Sequence, residues 1–367
     1  MAKRTLFAAY ITAAFFSFSV QSFAEGRSVN IYNWSDYIAE DTIESFQKET
    51  GIKVVYDVYD SNEVLEAKLL AGKSGYDIVF PTARPFADRH IKAKLYQAYD
   101  KSKLSNHANL DKNILSTLAD IDPNNAHLIP YMWGTTGIGI NVDKVRAILG
   151  KDAKLDSWSL LFDPKTVAKL SSCGVSLMDD STEVFVAARA YIGGKPNDNS
   201  KAGIKQASDV VNAVRPSIRY FHSSQYINDM ANGDLCVAHG YSGDILQARD
   251  RAAEAKNGVN IIYVVPSEGA VVWTDVAALL ADAPHVEEAH VFVNYLMRPE
   301  VIAGISNFVA YANANAKAET LVDEAVRNDP GIYPSAEVRA KLITLKTPSD
   351  KEVRNISRAW TRVKTGQ

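Results

Sequence analysis

An α/β fold in two domains, each a sheet flanked by helices, follows from three observations. The chain has 367 residues, and at roughly 100–200 residues per domain that length suggests two domains and leaves room for two cores. From Val29 onward, apolar strand-like runs alternate with amphipathic helical segments, an order that builds a parallel sheet with right-handed crossovers. Hydrophobic residues make up 47% of the chain and charged residues 23%, a globular composition that excludes disorder, collagen and disulfide miniproteins. Lys and Arg number 40 against 43 Asp and Glu, a formal charge of −3, which is too balanced for a nucleic-acid footprint.

Residues 1–24 read as a secretory signal peptide. Lys3 and Arg4 form a basic start, residues 6–20 are apolar and uncharged, and Ser22 and Ala24 place small residues at the −3 and −1 positions before Glu25. Its removal takes the charge from −3 to −5 by the loss of Lys3 and Arg4. No later run reaches the roughly 20 apolar residues of a membrane-spanning helix, so a soluble exported chain is expected. No cysteine lies near the cleavage site to carry a lipid anchor. Residues 29–34 then read as a strand. Asp41 with Glu44 resembles a capping box, Ile43 and Phe46 give the helix an apolar face, and Gly51 ends it. Residues 53–58 form the next strand, residues 62–70 a helix closed by Gly72, and residues 76–80 a third strand ending at Pro81. The apolar, glycine-bearing stretch 129–142 suits a strand passing between two lobes. A second set runs from Val175 through a helix near Glu183 to Arg219-Tyr220-Phe221. Residues 260–265 and 271–280 are later strands, and residues 286–305 are mostly helical.

In such sheets ligands gather beyond the carboxyl ends of strands. That singles out Trp34-Ser35-Asp36-Tyr37, Asp60-Ser61-Asn62 and Pro81-Thr82-Ala83-Arg84. Enzyme signatures fail there and elsewhere. Gly137-Ile138-Gly139 lacks the third glycine of a dinucleotide fingerprint, Gly240-Tyr241-Ser242-Gly243 has a glycine one residue too early for a nucleophile elbow, and the seven histidines show no metal spacing. The two cysteines, Cys173 and Cys236, suit a single disulfide in an exported protein. The alternative is a catalytic thiol, for which neither has an activating His or Gly context. Carboxylates stand beside aromatics at three expected strand ends: Trp34-Ser35-Asp36-Tyr37, Tyr241-Ser242-Gly243-Asp244 and Trp273-Thr274-Asp275. A ring face attracts a cation and a carboxylate accepts a charge-assisted hydrogen bond, so the combination suits an organic ammonium group. Each pair alone is equally the pattern of a half-buried ring beside a solvated turn acid.

The stretches Ile31-Tyr32-Asn33-Trp34-Ser35-Asp36-Tyr37, Phe221-His222-Ser223-Ser224-Gln225-Tyr226-Ile227-Asn228, Asn232-Gly233-Asp234 before Cys236, and Tyr311-Ala312-Asn313-Ala314-Asn315 resemble the periplasmic polyamine-binding proteins of ABC importers, above all the putrescine-binding members. The resemblance runs from about residue 28 to the C-terminus. It implies the type II periplasmic-binding-protein fold, two α/β lobes with a hinge and an interlobe ligand cleft. Lobe one would comprise residues 25–132 plus 252–306, and lobe two residues 133–251 plus 307–367. It also implies a disulfide between Cys173 and Cys236, a periplasmic location, no catalysis and no cofactor or metal. The implied partners are a polyamine and an inner-membrane ABC permease, with the protein itself a monomer. The family's ligand set maps onto Trp34, Ser35, Asp36, Tyr37, Thr82, Glu183, Ser223, Tyr241, Asp244, Trp273, Asp275, Tyr311 and Leu345, with Phe86 as the aromatic after the third strand. Ser35 and Asp275, with Asp36 nearby, would receive one ammonium group, and Glu183 and Asp244 the other. For Glu183 the competing role is helix-dipole stabilisation after Ser181, and for the aspartates turn capping.

Three features complicate the mapping. The loop Thr82-Ala83-Arg84-Pro85-Phe86 is one residue longer and brings a cation, Tyr241 stands where tryptophan is usual, and Trp273 matches spermidine-binding members while Leu345 matches putrescine-binding ones. Arg84 could face the cleft, point to solvent or neutralise an acid. Spermidine, agmatine or an amino-carboxylate are therefore alternative ligands, and a ferric site built from Tyr32, Tyr37, Tyr226 or Tyr311 is a reading of a different class.

Overall fold

The computed structural model describes residues 26–366, and the expected signal peptide at residues 1–24 lies outside them. Among the described residues no helix is long and apolar enough to cross a membrane. The strands are β1 (Ser28–Trp34), β2 (Lys53–Tyr59), β3 (Ile78–Val79), β4 (Leu128–Asn141), β5 (Val175–Leu177), β6 (Tyr220–Phe221), β7 (Val237–Tyr241), β8 (Ile261–Val264), β9 (Val271–Leu279), β10 (Ala312–Asn313) and β11 (Ile343–Thr344). They pair in the order β2-β1-β3-β9-β4-β7-β5-β6, with β8 and β10 also on β4 and β11 on β9.

The expected parallel sheet is present twice. β1 pairs in parallel with β2 and β3, and β5 in parallel with β6 and β7. Between these halves run β4 and β9, antiparallel to each other and to the strands they join. β4 is the strand expected to pass between lobes. Its 14 residues are almost all buried, and it pairs with β9 and β10 at one end and with β7 and β8 at the other.

Local chemistry sets most helix ends. Ser61 caps the helix Asn62–Leu70 by accepting the Val64 N–H, Asp180 caps Ser181–Tyr191, and Gly51 ends Glu40–Thr50 at φ 68°, the left-handed region that glycine enters freely. The expected capping box at Asp41 is absent: the helix begins at Glu40 after an extended Ala39, which puts Asp41 inside the first turn, where it only favours the helix dipole. The segment expected to be helical over 286–305 is two helices, Val286–Leu296 and Pro299–Val309, because Pro299 has no N–H to continue the first and suits the first turn of the second.

Two hydrophobic cores underlie the two lobes. The first draws mainly on residues 29–132 and 271–322 with Leu345, and the second on residues 138–270 with the helix Asp350–Thr365. This packing divides the chain differently from the expected boundaries. Ala252, Ile261 and Ala270 belong to the second core because β8 pairs with the second-lobe end of β4. Val309, Tyr311, Ala318, Val322 and Leu345 pack into the first. Cys173 and Cys236 form the expected disulfide inside the second lobe, across a sequence separation of 63.

Candidate functional site

Strands from both lobes converge on one narrow, ring-lined cavity. Trp34 ends β1 and Ser35 and Tyr37 follow it, Asp60 follows β2, Thr82 follows β3, Ser223 follows β6, Tyr241 ends β7 and Asp244 stands in the first turn of the helix after it, Trp273 and Asp275 lie on β9, and Tyr311 precedes β10. The rings form a sleeve of edge-on contacts. Trp34 meets Tyr241 at 5.9 Å between centroids, Tyr241 meets Trp273 at 5.5 Å, Trp273 meets Tyr311 at 5.4 Å, and Tyr311 meets Tyr37 at 5.2 Å. Gly243 is required for this approach, since a Cβ there would stand 2.5 Å from the Tyr311 ring.

Two aspartates face this sleeve, each held by hydroxyl donors. Asp275 accepts from the Thr82 hydroxyl at 2.7 Å and from the Tyr37 hydroxyl at 2.9 Å. Thr82 is itself fixed by the Asn62 side chain, which donates to the Thr82 hydroxyl at 3.0 Å and accepts the Thr82 N–H at 3.1 Å. Asp244 accepts from Tyr226 and Tyr311, both at 2.6 Å. Burial pushes the Asp275 carboxyl up to about 7 against the pull of its two hydroxyl donors, with Asp244 adding to the rise. Burial likewise pushes Asp244 up to about 6, against hydrogen bonds from Tyr226 and Tyr311. Among the described residues no Lys, Arg or His lines the cavity. Each carboxylate has about four lone-pair sites and spends two on hydroxyls, so both retain capacity for a cationic donor.

The expected site residues Trp34, Ser35, Tyr37, Thr82, Ser223, Tyr241, Asp244, Trp273, Asp275 and Tyr311 thus come together. Ser223 is 4% exposed and its hydroxyl has no hydrogen-bond partner. Four others do not line the cavity. Asp36 takes φ 55° after β1 and pairs with Arg251 at 2.6 Å across the lobes, so its charge is already met. Phe86 is buried under the Arg89 guanidinium, 4.6 Å from its ring. Leu345 lines an open groove on the outer side of Trp273. Glu183 lines a separate small cavity with Thr136, Trp158 and His239. Its Oε2 is buried without a partner, and burial, with Asp180 next, pushes its carboxyl well above the usual range.

Arg84 turns into the outer groove, where it bonds to Asp120 and to the Thr117 carbonyl. The ferric alternative finds no support in the phenols. Tyr37, Tyr226 and Tyr311 donate to aspartates and burial drives all three well above the ordinary tyrosine range, whereas a tyrosinate ligand must lose its proton. Tyr32 instead stacks on Tyr76 at 4.5 Å. Among the described residues no cluster of His, Cys, Asp and Glu has metal-binding geometry. Asp60, in a strand-end segment that the sequence singled out but outside the ligand set carried over from the family, also lines the cavity, and Asn62 of that segment fixes Thr82; Tyr226 and Arg251 were missed as supports of Asp244 and Asp36.

A profile for bacterial extracellular solute-binding proteins matches residues 41–334. The chain is 55% identical over 345 residues to the putrescine-binding periplasmic protein PotF of Escherichia coli (strain K12), covering 94% of this chain and 93% of that protein. It is 54% identical over 344 residues to the putrescine-binding periplasmic protein SpuD of Pseudomonas aeruginosa (strain UCBPP-PA14), covering 94% of each. Among solved structures, the spermidine/putrescine ABC transporter substrate-binding protein PotD of Streptococcus pneumoniae strain Canada MDR_19A superposes with a TM-score of 0.72 at 25% identity, over 93% of this chain and 99% of that one.

Proposed function

This chain belongs to the bacterial extracellular solute-binding protein family, and from that premise we propose that it captures putrescine, or a similar aliphatic diamine, in the periplasm and delivers it to the permease of an ABC importer. The observation that carries the reading is the pair Asp244 and Asp275, both buried in one ring-lined cavity and held by hydroxyl donors alone. A buried carboxylate is costly unless paired, and a guest with a cation at each end pairs both. Primary alkylamines, like Lys, titrate near 10 and so carry charge at neutral pH. Two charged ends contribute about 3–6 kcal/mol net and four methylenes against the rings about 3 kcal/mol more, the order of a micromolar affinity. A guest of the wrong length leaves one buried acid unpaired, which is the basis of selectivity.

The protein then acts as a receptor, not an enzyme, and works as a monomer: ligand bridging both lobes favours the closed state, whose surface the permease reads. An amino-carboxylate ligand would need a cation in the cavity, and Arg84, the residue that suggested one, is occupied in the outer groove. A thermal-shift panel of putrescine, cadaverine, agmatine, spermidine and GABA tests the proposal, because a ligand that binds only the folded state raises its melting temperature. Putrescine should give a clear rise and GABA none. A flat response to every amine, or a rise with GABA alone, would overturn it.

A further inference from the structure

At the rim of the aromatic cavity the two lobes meet through two acid–base contacts that differ in kind. Asp36 pairs with Arg251 and lines no part of the cavity. Asp60, which follows β2 in the first lobe, does line it, and its Oδ2 stands 3.7 Å from Nε2 of His222, which follows β6 in the second. The two side chains are 39% and 40% exposed, which puts this contact at the mouth, where the cavity meets solvent. One carboxylate thus belongs both to the water outside and to the path that a cation would take inward.

The imidazole is held in one orientation. Its Nδ1 accepts the N–H groups of Ser224 and Gln225, both at 3.1 Å. A ring nitrogen that accepts carries no proton, so in the neutral ring the N–H is at Nε2, on the edge turned to Asp60. Ser224 and Gln225 lead into the helix Tyr226–Ala231, whose Tyr226 donates to Asp244 at 2.6 Å. Ser223, next to the imidazole, lines the cavity with its hydroxyl unpartnered. The ring that faces Asp60 is therefore anchored to the same short segment that supports Asp244.

We propose that Asp60 is a further ligand-binding acid, an encounter site that meets an incoming ammonium group at the mouth of the open cleft and passes to His222 as the lobes close. While the lobes are apart the carboxylate has no imidazole beside it and draws a dication toward the ring-lined path. Closure brings Asp60 to the Nε2–H edge, directly or through one bridging water at this distance, as the ammonium group moves inward to Asp244 or Asp275. The contact then holds the rim shut and slows release. This inference rests on the diamine reading above and adds to it the route of entry and exit. Asp36 serves as the internal comparison, because its charge is met by Arg251 and it does not face the cavity.

Stopped-flow mixing with putrescine, followed by the fluorescence of the Trp34 and Trp273 walls, yields kon and koff separately. Asp60→Asn should lower kon about two- to fivefold at low ionic strength, flatten the decline of kon with added salt, and raise koff by about the same factor. His222→Asn places an oxygen where Nδ1 stands, so the Ser224 and Gln225 N–H groups keep an acceptor while Nε2 is lost. That variant should raise koff by a similar factor and leave kon as in the parent. The double variant should release no faster than Asp60→Asn alone, since both changes remove one contact. An unchanged kon in Asp60→Asn would overturn the proposal, as would an equal fall of kon in Asp36→Asn or koff effects that multiply in the double variant. A parent that gives neither a fluorescence change nor heat with putrescine overturns the diamine reading, and this inference with it.

Discussion

At Asp275 and Asp244 the same carboxylate serves two opposed demands: burial raises its proton affinity, and two hydroxyls pull it back. Replacing either with asparagine keeps an acceptor for one hydroxyl and removes the charge. Asp244→Asn and Asp275→Asn should each weaken putrescine binding by well over tenfold, about 1.4 kcal/mol or more, with the melting temperature of the ligand-free protein held or raised. Calorimetry beside a melting curve checks both parts, and unchanged affinity in either variant would remove that residue as a pole. Asp36 separates from them on the same assay. Its ion pair with Arg251 leaves the side chains 34% and 36% exposed, a setting in which such pairs contribute under about 1 kcal/mol. Asp36→Asn and Arg251→Ala should therefore each cost only a few-fold in affinity, mainly through faster release, as stopped-flow dissociation would show. The acids after β1 and β7 and within β9 were legible because each stands beside rings in the sequence, although Asp275 was expected at a strand end and lies inside β9. Which of them would meet the cavity was not, because Arg251 lies 215 residues from Asp36 and no local pattern announces that pairing.

Among the elements, β4 and β9 do the most to place the site, since their antiparallel pairing welds two parallel half-sheets and sets Asp275 opposite Met132 at the join. Glycines at 134, 137 and 139 made β4 readable as an apolar, close-packed crossing, and Gly134 does admit the Trp273 ring, which a Cβ would meet at 2.8 Å. The chain path that returns through β8 and β9 was not readable to the residue, because an apolar run at 261–264 can join either core until its partner strand is known. The Cys173–Cys236 disulfide lies within the second lobe and lines no part of the cavity. For a separation of 63 residues, loop-closure entropy gives it about 4 kcal/mol of stabilisation, acting through the unfolded chain. Replacing both cysteines by serine should lower the urea midpoint markedly while putrescine affinity changes less than twofold. A large affinity loss in the still-folded variant would mean that the bridge shapes the cleft rather than the unfolded chain.

For the whole molecule, the proposed lobe closure should be coupled to proton occupancy, with a sign that follows from the two buried acids. Both carboxyls lie above their ordinary value of 3.8 where they are buried in the cavity, at about 6 for Asp244 and about 7 for Asp275. The closed form without a cation thus holds more protons than one in which these acids meet water. Its stability is complete below about pH 4 and is lost as pH rises through about 6 to 7. Opening the lobes relieves the same cost, so the ligand-free protein should be more open at pH 8 than at pH 5. A dication cancels the cost at the two poles, and putrescine should bring the molecule to one compact shape at both pH values. Small-angle scattering would read this as a ligand-free radius of gyration that grows between pH 5 and pH 8 and a liganded one that does not. Asp244→Asn combined with Asp275→Asn should flatten most of the ligand-free change. A radius that is the same at both pH values without ligand would mean that the buried acids do not govern closure, and the charge argument for the site would lose its link to the hinge.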